Sequence, residues 1–212
     1  MQKLVFGQRQ LIVGGNVVPI GTKTYVTGVR SSPDSISFYG GDLISPTHLI
    51  TASHCSRREH IRVLSVMNHP SYSQNSDNTN YTNHFAVLEL ETPRKFKPVK
   101  LAAPDDSDFK AEKWVVSMGW VSISEVNITY SYVLLRLVSD EACAAKTIIG
   151  SSMVCPGGVL NRDSCFGDSG GSLIPEGSET TEDVLIGFVS WGIGDSCGCD
   201  GYPGIYSGVS NA

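Results

Sequence analysis

The nine residues Asp163-Ser164-Cys165-Phe166-Gly167-Asp168-Ser169-Gly170-Gly171 constrain this 212-residue chain more than any other stretch. Gly167 and Gly170 bracket an Asp-Ser pair, and Gly171 follows. That composition makes a tight turn with several backbone N–H groups directed inward. A hydroxyl held in such a nest lies beside ready-made donors for an oxyanion. Many surface turns are also rich in Gly, Asp and Ser. Cys165, four residues before Ser169, makes the full run far more specific than Gly-Asp-Ser-Gly alone.

The length suits one compact unit or two small all-β halves. Hydrophobic residues at 41% against charged residues at 17% favour a packed core over disorder. No apolar run is long enough to span a membrane, so none is expected as a partner. A net charge of −5 without a basic stripe argues against nucleic acid. No metal or cofactor is expected. Six cysteines suit an oxidising compartment. Asn80-Tyr81-Thr82 and Asn127-Ile128-Thr129 are glycosylation sequons. Secretion is therefore expected. Met1–Gly7 lacks the apolar core of a signal peptide, which places the expected true start upstream.

Short extended segments punctuated by Gly, Pro, Ser and Asp run through the first half: Thr24–Arg30, Ser37–Tyr39, Asp42–Ile44, His48–Ala52 and Ile61–Met67. Asn83–Leu90 reads as a strand with its apolar residues inward and Glu89 outward. Thr92–Lys113 reads as a connector, and Trp114–Trp120, Tyr132–Val138 and Val184–Ser190 as strands beyond it. Many short strands at this spacing predict an all-β barrel or sandwich.

The nucleophile-like run resembles that of the trypsin-like serine proteases, and the resemblance extends from Ile12 to about Val209. It implies two antiparallel β-barrels, about 12–108 and 109–212 after a lead of residues 1–11, with the cleft between them. Thr51-Ala52-Ser53-His54-Cys55 then supplies the general base His54, and Ser169 the nucleophile. Gly167 and Ser169 would furnish the oxyanion hole. Asp163 would be the acid at the pocket floor, walled by Ser190-Trp191-Gly192 and Gly204, a slot for Arg or Lys. Disulfides are implied between Cys143 and Cys155, and between Cys165 and either Cys197 or Cys199.

The departures from the family are as informative. Asn83-His84-Phe85-Ala86-Val87-Leu88 places His84 where the third triad member, an Asp, belongs. Losing that charge lowers turnover roughly 10⁴-fold in such triads. Ile12-Val13-Gly14-Gly15 resembles the segment whose freed ammonium pairs with the Asp before the nucleophile, here Asp168. A cut after Arg9 would leave two residues in front of Ile12. Tyr39 stands where the partner of Cys55 belongs, leaving Cys55 as a free thiol. The stretch from Ser56 to Asn83 is short by roughly two strands' worth, and the chain stops before the family's terminal helix.

Ile12–Tyr25 and Lys95–Leu101 resemble a branch of that family, the oomycete glucanase inhibitor proteins, secreted homologues with broken triads. This implies a monomer that binds a plant secreted endo-β-1,3-glucanase in the host apoplast. The competing expectation is a working endopeptidase cleaving after Arg or Lys. A third is a degenerate product without a stable fold.

Overall fold

The computed structural model describes residues 12–29, 39–55, 62–74, 81–108, 110–124, 127–165, 167–175, 183–194 and 197–210. Its architecture is all-β. Five strands form one sheet in the order Val26–Val29, Tyr39–Ser45, His48–Thr51, Ala86–Leu90, Val63–Asn68. Seven form the other: Asn16–Val17, Asn127–Arg136, Trp114–Ser124, Ser172–Pro175, Gly187–Trp191, Ile205–Gly208, Met153–Val154. All pairings within both sheets are antiparallel. One short helix, Asp140–Ala144, is N-capped by Ser139, whose hydroxyl accepts from the Ala142 N–H.

A continuous core joins the two sheets. Leu43, Ile50 and Leu88 from the first pack in one cluster with Met118, Leu135, Leu173 and Phe188 from the second. Ala86–Leu90 shows how this comes about: Ala86, Leu88 and Leu90 are buried, while Val87 and Glu89 are half-buried on the opposite face. Glu89 accepts a hydrogen bond from Ser65 at 2.8 Å instead of joining the core.

The glycines Gly40 and Gly41, which the spacing marks as a break between strands, lie inside one strand, Tyr39–Ser45. The reason is contact. A Cβ on Gly40 would fall 2.5 Å from the backbone of Gly171, and one on Gly170 would fall 2.3 Å from the Gly40 carbonyl. Gly40 of the first sheet therefore interlocks with Gly170 and Gly171 of the loop that leads into the second, and a strand that would usually exclude glycine keeps it for close approach. The Gly40 N–H donates to the Ser169 carbonyl at 2.7 Å, and the Thr51 hydroxyl to the Gly40 carbonyl at 2.7 Å. The expected strand Val184–Ser190 divides in two. Val184–Leu185 pairs in parallel with Lys100–Leu101 of the connector, while Gly187–Trp191 joins the large sheet. The connector is thus tied to the second half.

Candidate active site

The Ser169 loop is fixed from several directions at once. The Asp168 N–H donates to the Cys165 carbonyl, Gly171 N–H to Asp168, and Gly170 N–H to Val189. Gly167 and Gly170 have φ of +105° and +75°, which only glycine adopts without strain. Cys165 is joined to Cys197, and Cys143 to Cys155. The Gly167 and Ser169 N–H groups donate to no backbone carbonyl among the described residues.

His54 sits in a single 3₁₀ turn, Ser53–Cys55, that ends the strand His48–Thr51. Its Nδ1 lies 2.8 Å from Nε2 of His84, and His84 Nδ1 lies 2.6 Å from the Ser190 hydroxyl. The structure thus brings the expected base, its neighbour and a pocket-wall serine into one line of hydrogen bonds. No hydrogen bond joins His54 to Ser169 among the described residues. His84 is wholly buried. The Tyr81 ring lies nearly parallel to it with centroids 4.4 Å apart, and Tyr72 at 5.4 Å. Tyr39 meets His54 edge-on at 5.7 Å. Burial, and then the His54 neighbour, push the His84 pKa down to about 3. Burial also lowers that of His54. At neutral pH the pair is uncharged, where a carboxylate would supply a full negative charge.

The pocket side is built differently. Asp163 is buried, with Oδ2 accepting from the Gly198 N–H at 3.1 Å and Oδ1 without a partner. Burial raises its pKa to about 6. A Cβ on Gly204 would lie 2.9 Å from that free oxygen, so a side chain there would have to displace the carboxylate, whereas a Cβ on Gly192 would touch nothing. Tyr206, fully buried, has its hydroxyl 2.7 Å from that of Ser117 and 2.9 Å from that of Ser164, so it donates to one serine and accepts from the other. Trp191 Nε1 is buried without a partner.

Asp168 accepts from the Cys165 N–H at 2.8 Å through Oδ2, while Oδ1 packs on Gly119 without a hydrogen bond. Burial lifts its pKa to about 8. Ile12 is buried, and Val13 pairs with Asp163, its N–H donating to the Asp163 carbonyl at 2.8 Å. Residues 1–11 and Asn80 lie outside the described residues, as does the side chain of Asn127. Cys55 is a buried free thiol, and Cys199 stands outside both disulfides. Among the described residues no group of three or more His, Cys, Asp or Glu could hold a metal ion.

Sequence reasoning missed Tyr72 and Tyr81, which wall in His84, and the buried bond between the two sheets from the Ser172 hydroxyl to Asp42 Oδ1 at 2.5 Å. Neither carries a local motif. Only the placement of His84 between two tyrosine-bearing loops could have pointed to the first.

Comparison with known proteins places this fold in a family. The family model described as Trypsin matches residues 12–212. Glucanase inhibitor protein 1 of Phytophthora infestans is 42% identical over 97% of this chain and 86% of its own length. Glucanase inhibitor protein 2 of Phytophthora sojae is 40% identical over 96% of this chain and 77% of its own. Among solved structures, neuropsin, a serine protease expressed in the limbic system of mouse brain, superposes with a TM-score of 0.78. The match covers 94% of this chain and 95% of that one at 24% identity, a likeness of fold.

Proposed function

This chain belongs to the trypsin family, on the branch of the glucanase inhibitor proteins, and we propose that it is a secreted, catalytically impaired homologue that binds and inhibits a plant endo-β-1,3-glucanase. The observation that carries this reading is His84. A buried neutral imidazole occupies the place of the triad carboxylate, 2.8 Å from His54. An imidazolium forming on His54 during acyl transfer would meet no compensating charge there. The relatives' names supply the target class.

Inhibition then rests on surface contact, which for a specific complex needs roughly 1,200–2,000 Å² of buried area. Ser169→Ala should inhibit glucan-fragment release by a plant apoplastic glucanase as well as the wild type does. A protease acting by cleavage would lose its effect with that substitution and would leave glucanase fragments on a gel. Absence of inhibition by either folded form, across several glucanases, removes the inhibitor reading.

The endopeptidase reading keeps one specific support. The Ser169 loop, its two N–H groups without a backbone acceptor among the described residues and the unpartnered Asp163 oxygen support a cation-selective acyl-transfer site. Turnover of an Arg or Lys ester at ordinary trypsin rates by the wild type would establish it.

A further inference from the structure

We propose that His54 is held in the inverted tautomer, with its proton on Nε2 and its lone pair on Nδ1 facing His84, and that Ser190 is the positioning residue that sets this direction. The inference rests on reading Ser169, His54 and His84 as the remains of a triad. It goes beyond the loss of negative charge, because it removes the base itself.

Two contacts define the problem: Ser190 Oγ to His84 Nδ1 at 2.6 Å, and His84 Nε2 to His54 Nδ1 at 2.8 Å. Each needs one hydrogen, and a neutral imidazole carries a single N–H with an acceptor on the other nitrogen. The two contacts are therefore coupled, and only two arrangements satisfy both. In the first, the Ser190 hydroxyl donates to His84 Nδ1, His84 Nε2–H donates to His54 Nδ1, and the His54 proton sits on Nε2. In the second, every hydrogen bond runs the other way, and Ser190 only accepts.

The serine decides between them. Ser190 is buried, and its hydroxyl has no hydrogen-bond partner other than His84 among the described residues. The second arrangement would orphan a buried O–H, while the first leaves only oxygen lone pairs unused. The penalty for an orphaned donor corresponds to roughly tenfold to a hundredfold in population in favour of the first. The first also places both protons on Nε2, the position that free histidine itself favours. A carboxylate at position 84 can only accept, so it would hold the His54 proton on Nδ1 and leave Nε2 as the base. An imidazole there instead relays the direction given by Ser190. His54 then offers an N–H where a nucleophile needs a proton acceptor.

Two-bond nitrogen–proton correlation on the full chain with labelled histidine reads the tautomer directly. At neutral pH, His54 and His84 should both be protonated on Nε2. In His84→Asp, His54 should reverse to Nδ1. In Ser190→Asp the starting group becomes an acceptor, so both rings should reverse and fluorophosphonate labelling of Ser169 should rise at least tenfold. His54 protonated on Nδ1 in the wild type, or shared evenly between nitrogens, overturns the proposal. No reversal in a folded Ser190→Asp takes the directing role from Ser190. Where that variant does not fold, the wild type compared with His84→Asp still decides the tautomer. Glucanase inhibition is read separately. Inhibition with a Nδ1-protonated His54 sinks the tautomer alone, and an Nε2-protonated His54 without inhibition sinks the functional reading alone.

Discussion

The two sheets contribute unequally to the proposed site. From the seven-stranded half come the Ser169 loop, the Asp163 floor with Gly204 beside it, and both disulfides, Cys143–Cys155 and Cys165–Cys197. The five-stranded half and the loops beside it supply His54, whose line of hydrogen bonds leads to a histidine, and Cys55, a buried thiol facing no second sulfur. The same half ends, among the described residues, in the strand Val63–Asn68 with Leu64, Val66 and Met67 exposed. Acyl transfer needs both sides, but binding through a pocket or a surface needs only one. On the proposed reading, the Ser169 loop stays formed without turnover, because the glycine interlock between Gly40 and Gly170-Gly171 holds the two halves together.

The sharpest way to break this contrast is to repair the altered side. His84→Asp restores an accept-only group beside His54. Hydrolysis of an Arg or Lys ester should rise toward the roughly 10⁴-fold that the charge contributes in such triads. Matched assays on folded protein check it. An unchanged rate would mean that the seven-stranded side is disabled too.

Next in size is covalent bracing. Replacing Cys165 and Cys197 together by Ala should cost about 2–5 kcal/mol of stability, the usual range for a disulfide in a small secreted domain. Cys55→Ala, which removes only a small buried side chain, should cost about 1 kcal/mol. Denaturant unfolding of the three proteins measures both. Equal losses would contradict the uneven bracing of the halves.

The pocket gives a third, smaller effect. Benzamidine should bind through the unpartnered oxygen of Asp163, and Asp163→Ser should weaken it by about 1.5–3 kcal/mol, the worth of a hydrogen bond to a charged group. Titration calorimetry on wild type and Asp163→Ser decides. Equal affinity would mean that the cation binds elsewhere.

Much of this site could be read from residue order, and the parts that could not share one physical cause. A run such as Gly167-Asp168-Ser169-Gly170-Gly171 carries its own backbone requirements, so its loop can be recognised before any fold is known. His54 and His84 could each be placed by their flanking residues. The outcome of their meeting could not, because it depends on a third group, Ser190, far along the chain. Gly40-Gly41 misled for the same reason: glycine marks a turn when judged locally, but here Gly40 answers to a neighbour packed against it from the other half. The choice of Cys197 over Cys199 as the partner of Cys165 likewise needed the folded path, since the two lie two residues apart.

The smallest effect tests the seam between the halves. Asp42, fully buried, accepts from Ser172 through Oδ1, and its Oδ2 has no partner. Burial raises its pKa to about 8, against an ordinary value of 3.8. Between those values the unfolded chain has released a proton that the folded chain keeps. Stability from this group is therefore complete below about pH 4 and is lost as pH rises toward 8. Asp168, raised to about 8 by the same cause, adds a loss of the same sign. His84 acts oppositely, favouring the fold as pH rises from about 3 through the ordinary histidine range, so the two trends meet at mildly acidic pH. Asp42→Asn keeps the carbonyl that Ser172 donates to and removes the ionisation. It should match the wild type near pH 3.5 and exceed it increasingly as pH rises toward 9, by at least about 1–2 kcal/mol, a Tm gap of roughly 2–8 °C for a chain of this size. Thermal melts of both proteins across that range read the difference. Curves that stay parallel would show that Asp42 does not ionise within it, and that the seam between the halves is indifferent to pH.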